Sequence, residues 1–291
     1  MWANVFCNGR DKKKTPYIVS MVPVFLKLPF LDMASSVWAM PEEQWIDDTA
    51  TKQDIDMLKK EATGDSMIDK VNFRQQMLDK WHSKSVDLFV KELPGRTRVV
   101  FLGTHEQFAK IPWQLWARIF QGIGHPIGRI LFYGHPSERF FPSPGQPLGA
   151  ENVNGGYTNI CSQERIVIYR YEEATRVLLH ELLHTACFDK EKGVENLEAS
   201  TEAWTEIFLC AILSKGKSGA FSTLWLKQCS WINAQCEMLE SSGQVKGPED
   251  YAWRYINGKR NVLYDLGFLK KCSGSIVGKL TPRFTTPEWS I

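Results

Sequence analysis

The chain has 291 residues, of which 43% are hydrophobic and 23% charged, and its formal net charge is +2. This composition is ordinary for a soluble globular protein, and the length allows one large domain or a catalytic domain with an appendage. Because the charge is balanced and the only basic run is Lys12–Lys14, we expect no nucleic-acid partner.

The apolar stretch at residues 17–40 is interrupted by two prolines and two charged residues, so we expect neither a membrane span nor an export signal. Seven cysteines are scattered without a CxxC pair, and their number is odd. Cys187, Cys210 and Cys229 fall in apolar helical patterns, where cysteine behaves as a small hydrophobic residue. This usage favours the cytoplasm or another reducing compartment over a secreted disulfide framework.

The N-terminal third has weak and mixed patterns. Residues 17–22 predict a short strand that the following proline confines to a strand end or an edge. Residues 41–63 are acidic and weakly helical, whereas 65–93 predict a long amphipathic helix. We therefore separate residues 1–95, as an appendage or part of an upper lobe, from a catalytic domain at 96–291.

The middle of the chain alternates strands with helices and loops. Thr104 is typical of an N-cap and predicts a helix to about Gln121, and the Pro/Gly-rich residues 136–149 predict a long loop. Four strands are predicted here, at residues 98–103, 128–135, 155–160 and 165–170.

A helical pattern, EEATRVLLHELLH, follows at residues 172–184 and ends in an HExxH motif. In a helix, His180 and His184 lie one turn apart on the same face, with Glu181 beside them. A catalytic Zn²⁺ takes three protein ligands and leaves the fourth position to a water of lowered pKa, so Glu181 is the candidate general base. The surrounding residues are apolar, and two histidines and a glutamate in a buried helix would be costly without a partner.

The remaining histidines have no partner at ligand spacing, so we expect surface or capping roles for them. They are His82, His105, His125 and His135.

The next predicted helix, residues 195–214, carries the third ligand. Glu198, Glu202 and Glu206 recur at four-residue steps, so their carboxylates share a face and repel one another unless a cation or a histidine lies nearby. A solvated acidic face remains an alternative for Glu195 and Glu198, and it fits Glu206 less well because the neighbours of Glu206 are apolar.

These residues resemble the gluzincin family of zinc metallopeptidases, in which HExxH is followed by a glutamate ligand on a later helix, often with an acidic residue four positions on. The resemblance covers roughly residues 155–214. The segments GGYT, IVIYR and EEATRVLLHELLH also resemble, more faintly, putative metallopeptidases of large DNA viruses, so a virion location is included among our expectations.

The resemblance implies a ligand set of His180, His184 and Glu202, with Glu206 as the acceptor that orients a zinc-bound imidazole. The alternative frame takes Glu198 as the ligand with Glu202 behind it. We prefer Glu202 because Glu206 has no role in the alternative frame.

The implied fold is α+β and zincin-like, with a small mixed sheet whose edge strand lies over the HExxH helix, and a helical C-terminal lobe. Residues 155–160 are the candidate edge strand. Gluzincins usually supply a histidine or tyrosine to the oxyanion, and no histidine follows His184. The candidate donors are Tyr251 and Tyr255, with Tyr157 and Tyr264 as further options. The expected substrate-binding residues are Gly155, Gly156, Tyr157 and Thr158.

The C-terminal third predicts a helix at 221–239, another beginning near 247–250, and a tail at 281–291. The sequence therefore predicts zinc-dependent hydrolysis of a peptide or protein substrate. The alternative is a catalytically weak or inactive zincin-fold protein with a binding or structural role, for example in a virion. Two observations motivate this alternative: residues 1–95 have no assigned role, and no histidine follows His184.

Overall fold

A computed structural model describes residues 29–64, 67–188, 197–269, 276 and 278–289. The strand predicted at residues 17–22 lies outside these ranges. Among the described residues, no helix is both long enough and apolar enough to cross a membrane.

The described part of the chain contains a six-stranded mixed sheet in the order β1-β2-β3-β4-β6-β5. The three strands β3, β4 and β6 are parallel, whereas β1, β2 and β5 each run antiparallel to a neighbour. The strands are β1 (Ile46–Asp48), β2 (Asp87–Leu93), β3 (Thr97–Gly103), β4 (Arg129–Tyr133), β5 (Gly156–Thr158) and β6 (Arg165–Ile168). This is the α+β architecture with a small mixed sheet that the sequence predicts.

Helices cover both faces of this sheet and form the C-terminal part of the molecule. They are α1 (Pro29–Ala39), α2 (Lys52–Thr63), α3 (Phe73–His82), α4 (His105–Lys110), α5 (Trp113–Ile123), α6 (Ala150–Val153), α7 (Ala174–Thr185), α8 (Leu197–Leu213), α9 (Ser218–Ser241) and α10 (Gly258–Asp265). A π-helical turn, Trp253–Asn257, leads into α10.

The central strands are apolar throughout because both faces of the sheet are covered. In β3, Val99 and Phe101 join the larger core with α5 and α7, whereas Val100 and Leu102 join a smaller core beneath α2 and α3. All four side chains are fully buried. The parallel strands thus form a rigid support from which β6 leads into α7.

The long helix predicted at residues 65–93 is confirmed only at Phe73–His82, since residues 67–72 form bends and turns. Helix α3 ends at His82, and Lys84 takes a left-handed conformation with φ of 59°. The chain then forms β2, whose residues pair along their full length with β3. Leu88 continues the helical spacing of the preceding apolar residues, which explains the prediction. In the structure, Leu88 and Val90 are two residues apart and contact the same smaller core, as strand pairing with β3 requires.

Two other regions are more divided than predicted. Pro112 separates α4 from α5 within the single helix expected from Thr104 to Gln121. The acidic residues 41–63 contain β1 and then α2, which begins with a capping box. There, Thr51 Oγ1 accepts a hydrogen bond from Asp54 N, and Asp54 Oδ2 accepts one from Thr51 N.

Strands β1 and β2 belong to the same sheet as the later strands, and the turn between β2 and β3 spans residue 95. Helix α1 packs against α5 and α8. The division of the chain at residue 95 stays a prediction.

Candidate functional site

Helix α7 carries the HExxH motif and is buried along its whole length, from Ala174 to Thr185. It begins a few residues after β6 and packs against β5, β6 and α8. The burial predicted for this helix is confirmed. It places two imidazoles and a carboxylate where water is largely excluded, so their charges must be balanced locally.

The two motif histidines converge on the carboxylate of Glu198. The Nε2 atoms of His180 and His184 lie 3.0 Å apart, Glu198 Oε1 lies 3.1 Å from His180 Nε2, and Glu198 Oε2 lies 3.5 Å from His184 Nε2. Tetrahedral zinc with bonds of about 2.0–2.1 Å separates its ligand atoms by about 3.3 Å. The three residues therefore have donor types and a spacing that could hold one metal ion.

Glu202, the preferred ligand from the sequence, is held by another partner. Its carboxylate forms a buried ion pair with Arg176, in which Oε1 lies 3.3 Å from Nη1. The same Oε1 is 3.4 Å from His180 Nδ1, a buried atom with no hydrogen bond of good geometry. The structure thus favours the alternative frame, with Glu198 at the Nε2 atoms and Glu202 on the opposite side of the His180 ring.

Within the described ranges, the hydrogen bonds and ion pairs of Glu206 are to Gln228 and to buried cations, in contrast to its expected role in orienting an imidazole. Its carboxylate accepts hydrogen bonds from Lys259 Nζ at 2.8 Å and from Gln228 Nε2 at 3.1 Å, and lies 3.3 Å from Arg176 Nη2. Glu206 therefore neutralises buried cations. This role removes the reason for preferring the Glu202 frame.

Arg176 and Lys259 are the residues that sequence reasoning missed. Both are fully buried and complete a four-charge cluster with Glu202 and Glu206. A signal for Arg176 was present in the sequence, since it is a cation one turn before His180 in an otherwise apolar helix. Nothing in the local pattern around Lys259 distinguishes it from a surface lysine.

Glu181 lines the same cavity as the three candidate ligands. Burial raises the pKa of Glu181 above its usual range, although His180 and His184 oppose the change. For Glu198 burial acts in the same direction, but the two histidines outweigh it and hold its pKa well below the usual range. The two carboxylates thus differ in environment, one bound by both histidines and the other facing the cavity.

Strand β5 forms one wall of this cavity, which has a volume of about 270 Å³. It is an edge strand, because among the described strands only β6 pairs with it. Gly155 O accepts a hydrogen bond from Tyr169 N at 2.8 Å, so the alternating pattern of an antiparallel pair turns the backbone groups of Gly156 and Thr158 away from β6. All four residues predicted to bind substrate, Gly155 to Thr158, line the cavity.

The glycine pair allows β5 to lie directly against α7. A Cβ atom on Gly156 would come within 2.6 Å of both Val167 O and Val177 Cγ1, and one on Gly155 would come within 2.6 Å of Arg139 Nη2. A side chain at Gly156 would therefore force β5 away from β6 and α7, whereas one at Gly155 would have to displace the buried Arg139 guanidinium.

The hydroxyl of Tyr157 points to the other face of the sheet. It bonds to Arg74 Nη1 and to the carboxylate of Glu61, which anchors β5 to α2 and α3. This rules out Tyr157 as the oxyanion donor in this arrangement. Tyr264 is not among the residues that line the cavity.

Tyr251 and Tyr255 do line the cavity, with their rings stacked at 5.5 Å. Burial raises the pKa of Tyr255 well above its usual value, and the nearby charges of Glu198 and Glu202 raise it further. The Tyr255 hydroxyl therefore keeps its proton and can act as a hydrogen-bond donor close to the candidate ligands.

The other histidines do not join the candidate ligands, and among the described residues the only cluster with metal-ligand spacing is that of His180, His184 and Glu198. His82 and His105 are exposed, as expected, and His125 is half-buried. The predicted surface position is wrong for His135, which is buried and whose ring stacks on that of Phe73 with the centroids 4.0 Å apart. This burial lowers the pKa of His135 to about 4.

A disulfide between Cys161 and Cys187 ties the β5–β6 turn to the end of α7. Cys161 N also donates a hydrogen bond to His184 O at 3.0 Å. The sequence predicted no disulfide framework, and this pair is an exception to that expectation. The reducing compartment itself stays a prediction.

The predicted tail at residues 281–291 is instead a packed segment where it is described. Glu173, at the start of α7, accepts hydrogen bonds from the backbone N–H groups of Phe284 and Thr285, and Gln228 binds both Phe284 O and Thr286 N. The Phe284 ring lies 4.0 Å from Arg176 Cζ and lines the cavity.

Comparison with known proteins identified no matching family model, no similar curated protein and no similar solved structure.

Proposed function

We propose that this protein is a zinc-dependent peptidase with a zincin-like fold and that α7 is its catalytic helix. The observation that carries the proposal is the convergence of the Glu198 carboxylate on the Nε2 atoms of both motif histidines, within 3.5 Å. The antiparallel edge strand beside α7 and the buried Glu181 lend further support.

His180, His184 and Glu198 would hold the ion. When bound, zinc supplies a Lewis acid and a water of lowered pKa. Glu202 would accept a hydrogen bond from His180 Nδ1, since its Oε1 lies 3.4 Å away, and would thereby fix the tautomer that presents Nε2 to the ligand position. Arg176 holds Glu202 in place for this role.

Glu181 would move the proton. Its carboxylate accepts a proton from the attacking water and then delivers it to the amine that leaves when the peptide bond breaks. One carboxylate can serve both steps, because the leaving amine is more basic than the carboxylate and takes the proton from it. The Tyr255 hydroxyl would donate a hydrogen bond to the carbonyl oxygen as negative charge develops there.

Strand β5 would bind the substrate. The outward backbone groups of Gly156 and Thr158 can pair with an extended peptide, which adds one strand to the edge of the sheet. This mode of binding places the peptide main chain across the opening of the cavity that contains Glu181.

The test compares the wild type with Glu181→Gln on a mixed peptide library, with zinc content measured in parallel. We expect Glu181→Gln to retain zinc and to lose at least about a hundredfold in rate, within the range that general bases contribute. Glu164→Gln, on an exposed turn, is the matched control and should cleave normally. Cleavage by Glu181→Gln at the wild-type rate, or no cleavage by the zinc-loaded wild type, would overturn the proposal.

A further inference from the structure

We infer that Arg254 selects substrates that carry a carboxylate next to the scissile peptide bond. The inference rests on the proposed peptidase function and adds the substrate class. It follows from a comparison of the cations that line the cavity.

Among the described residues, three cationic side chains line the cavity: Arg139, Arg176 and Arg254. The first two are buried and already matched by carboxylates. Arg139 Nη1 lies 3.0 Å from Glu173 Oε2, and Arg176 is bound by Glu202 and Glu206. A substrate anion would have to displace these buried partners, which is costly.

Arg254 is placed differently. Its side chain is 35% exposed, and its ion pair is a contact of 3.9 Å with Glu249, whose side chain is 98% exposed. Exposed pairs of this length contribute little free energy, so a substrate can replace Glu249 at low cost. Arg254 is thus the lining cation that is free to exchange its partner.

Arg254 lies on the same wall of the cavity as the candidate oxyanion donors. Tyr251, Arg254 and Tyr255 all line the cavity, at and next to the π-helical turn Trp253–Asn257. The Arg254 guanidinium lies 5.8 Å from the Tyr251 ring centroid. The Tyr251 ring in turn stacks on that of Tyr255 at 5.5 Å, so a group bound by Arg254 would lie on the same wall as the tyrosine proposed to contact the scissile carbonyl.

The charge of the site specifies the sign of that group. A dication at the candidate ligands would be balanced by Glu198 and Glu181, and the four-charge cluster of Glu202, Glu206, Arg176 and Lys259 balances itself. Arg139 is balanced by Glu173, so Arg254 leaves the cavity with one net positive charge. Guanidinium binds carboxylates through two parallel hydrogen bonds, which makes an acidic side chain or a free C-terminus the matching substrate group.

The test uses peptides that differ only in Glu or Gln at each position flanking the cleaved bond, all with C-terminal amides. A second arm compares a neutral peptide as its free acid and as its amide, which separates a C-terminal carboxylate from an acidic side chain. In one of these two comparisons, we expect the kcat/KM of the wild type to be about tenfold higher for the peptide with the carboxylate than for its neutral counterpart. This is a conservative value for a charge-assisted pair.

Arg254→Gln should reduce that preference to about one by lowering kcat/KM for the carboxylate peptide, with zinc content unchanged. Arg254→Glu should reverse it in favour of a Lys peptide. The control is Arg260→Gln, whose arginine pairs with Glu240 outside the cavity and should keep the preference. An unchanged preference in Arg254→Gln, or equal cleavage of all peptides by the wild type, would overturn the inference alone. A zinc-loaded wild type that cleaves no peptide would overturn the proposed function and the inference together.

Discussion

Arg176 binds the carboxylate of Glu202 at the back of the candidate metal site, with Nη1 and Oε1 separated by 3.3 Å and both side chains almost fully buried. Breaking such a pair leaves an uncompensated buried charge, so Glu202 is committed to this contact. Glu198, one turn earlier on α8, is the carboxylate that faces the two imidazoles. We infer that this buried ion pair leaves Glu198, rather than Glu202, as the glutamate available to a metal ion.

The hydroxyl of Tyr255 should contribute to catalysis. We expect Tyr255→Phe to lower kcat by about a hundredfold with little change in KM, because one oxyanion donor is worth about that much. Zinc content should not change. Tyr251→Phe is the matched control on the same wall and should have a much smaller effect on kcat. A Tyr255→Phe variant with wild-type kcat would exclude this tyrosine as the donor.

The close approach of β5 to α7 should depend on Gly156. Adding a methyl group there places it 2.6 Å from Val177 Cγ1 and from Val167 O, so Gly156→Ala must shift the strand. We expect a loss of about 1–3 kcal/mol in the free energy of unfolding and a raised KM for peptides. Gly247→Ala, which meets no atom within 4 Å, should match the wild type in urea denaturation and in KM. A wild-type KM in Gly156→Ala would show that the position of the strand does not matter for substrate binding.

Asp54 should make the free energy of unfolding depend on pH in the acid range. Burial alone would raise the pKa of Asp54, but hydrogen bonds from Arg129 and Arg98 lower it from 3.8 to about 2. Because the folded pKa is depressed, this stabilisation is fully present above about pH 4 and is lost as the pH falls toward 2. It amounts to about 2 kcal/mol at neutral pH.

The measurement is urea denaturation of the wild type and Asp54→Asn between pH 7 and pH 2.5. The stability difference between the two proteins should narrow as the pH falls through this window. Asp56→Asn, exposed on the same helix, should show no comparable narrowing. A constant difference between wild type and Asp54→Asn across the range would argue against a depressed pKa.

The parts of the site within a single helix could be predicted from the sequence. The spacing of His180 and His184 fixes their common face, and apolar neighbours indicate the burial of α7. The strands at 98–103 and 165–170 are also confirmed, because runs of branched apolar residues favour buried parallel strands.

The choice between glutamates could not be predicted, because it depends on how α7 and α8 are rotated against each other. Glu198, Glu202 and Glu206 form one stripe, and only the tertiary contacts of Arg176 and Lys259 assign a different partner to each. The packing of the segment predicted as a tail, residues 281–291, could not be predicted either. This packing depends on distant polar groups such as Glu173 and Gln228, which leave no local periodicity.

Zinc content per chain would show whether the protein binds zinc and whether Glu198 or Glu202 is the third ligand. It would be measured by elemental mass spectrometry for the wild type, Glu198→Gln and Glu202→Gln. We expect about one zinc in the wild type, a clear loss in Glu198→Gln, and retention in Glu202→Gln, because Glu198 carries the ligand oxygens. Circular dichroism on the same samples would confirm that each variant is folded. Full zinc content in folded Glu198→Gln would contradict the assignment of Glu198 as a ligand. No zinc in the wild type after reconstitution would contradict the proposal that the site binds zinc.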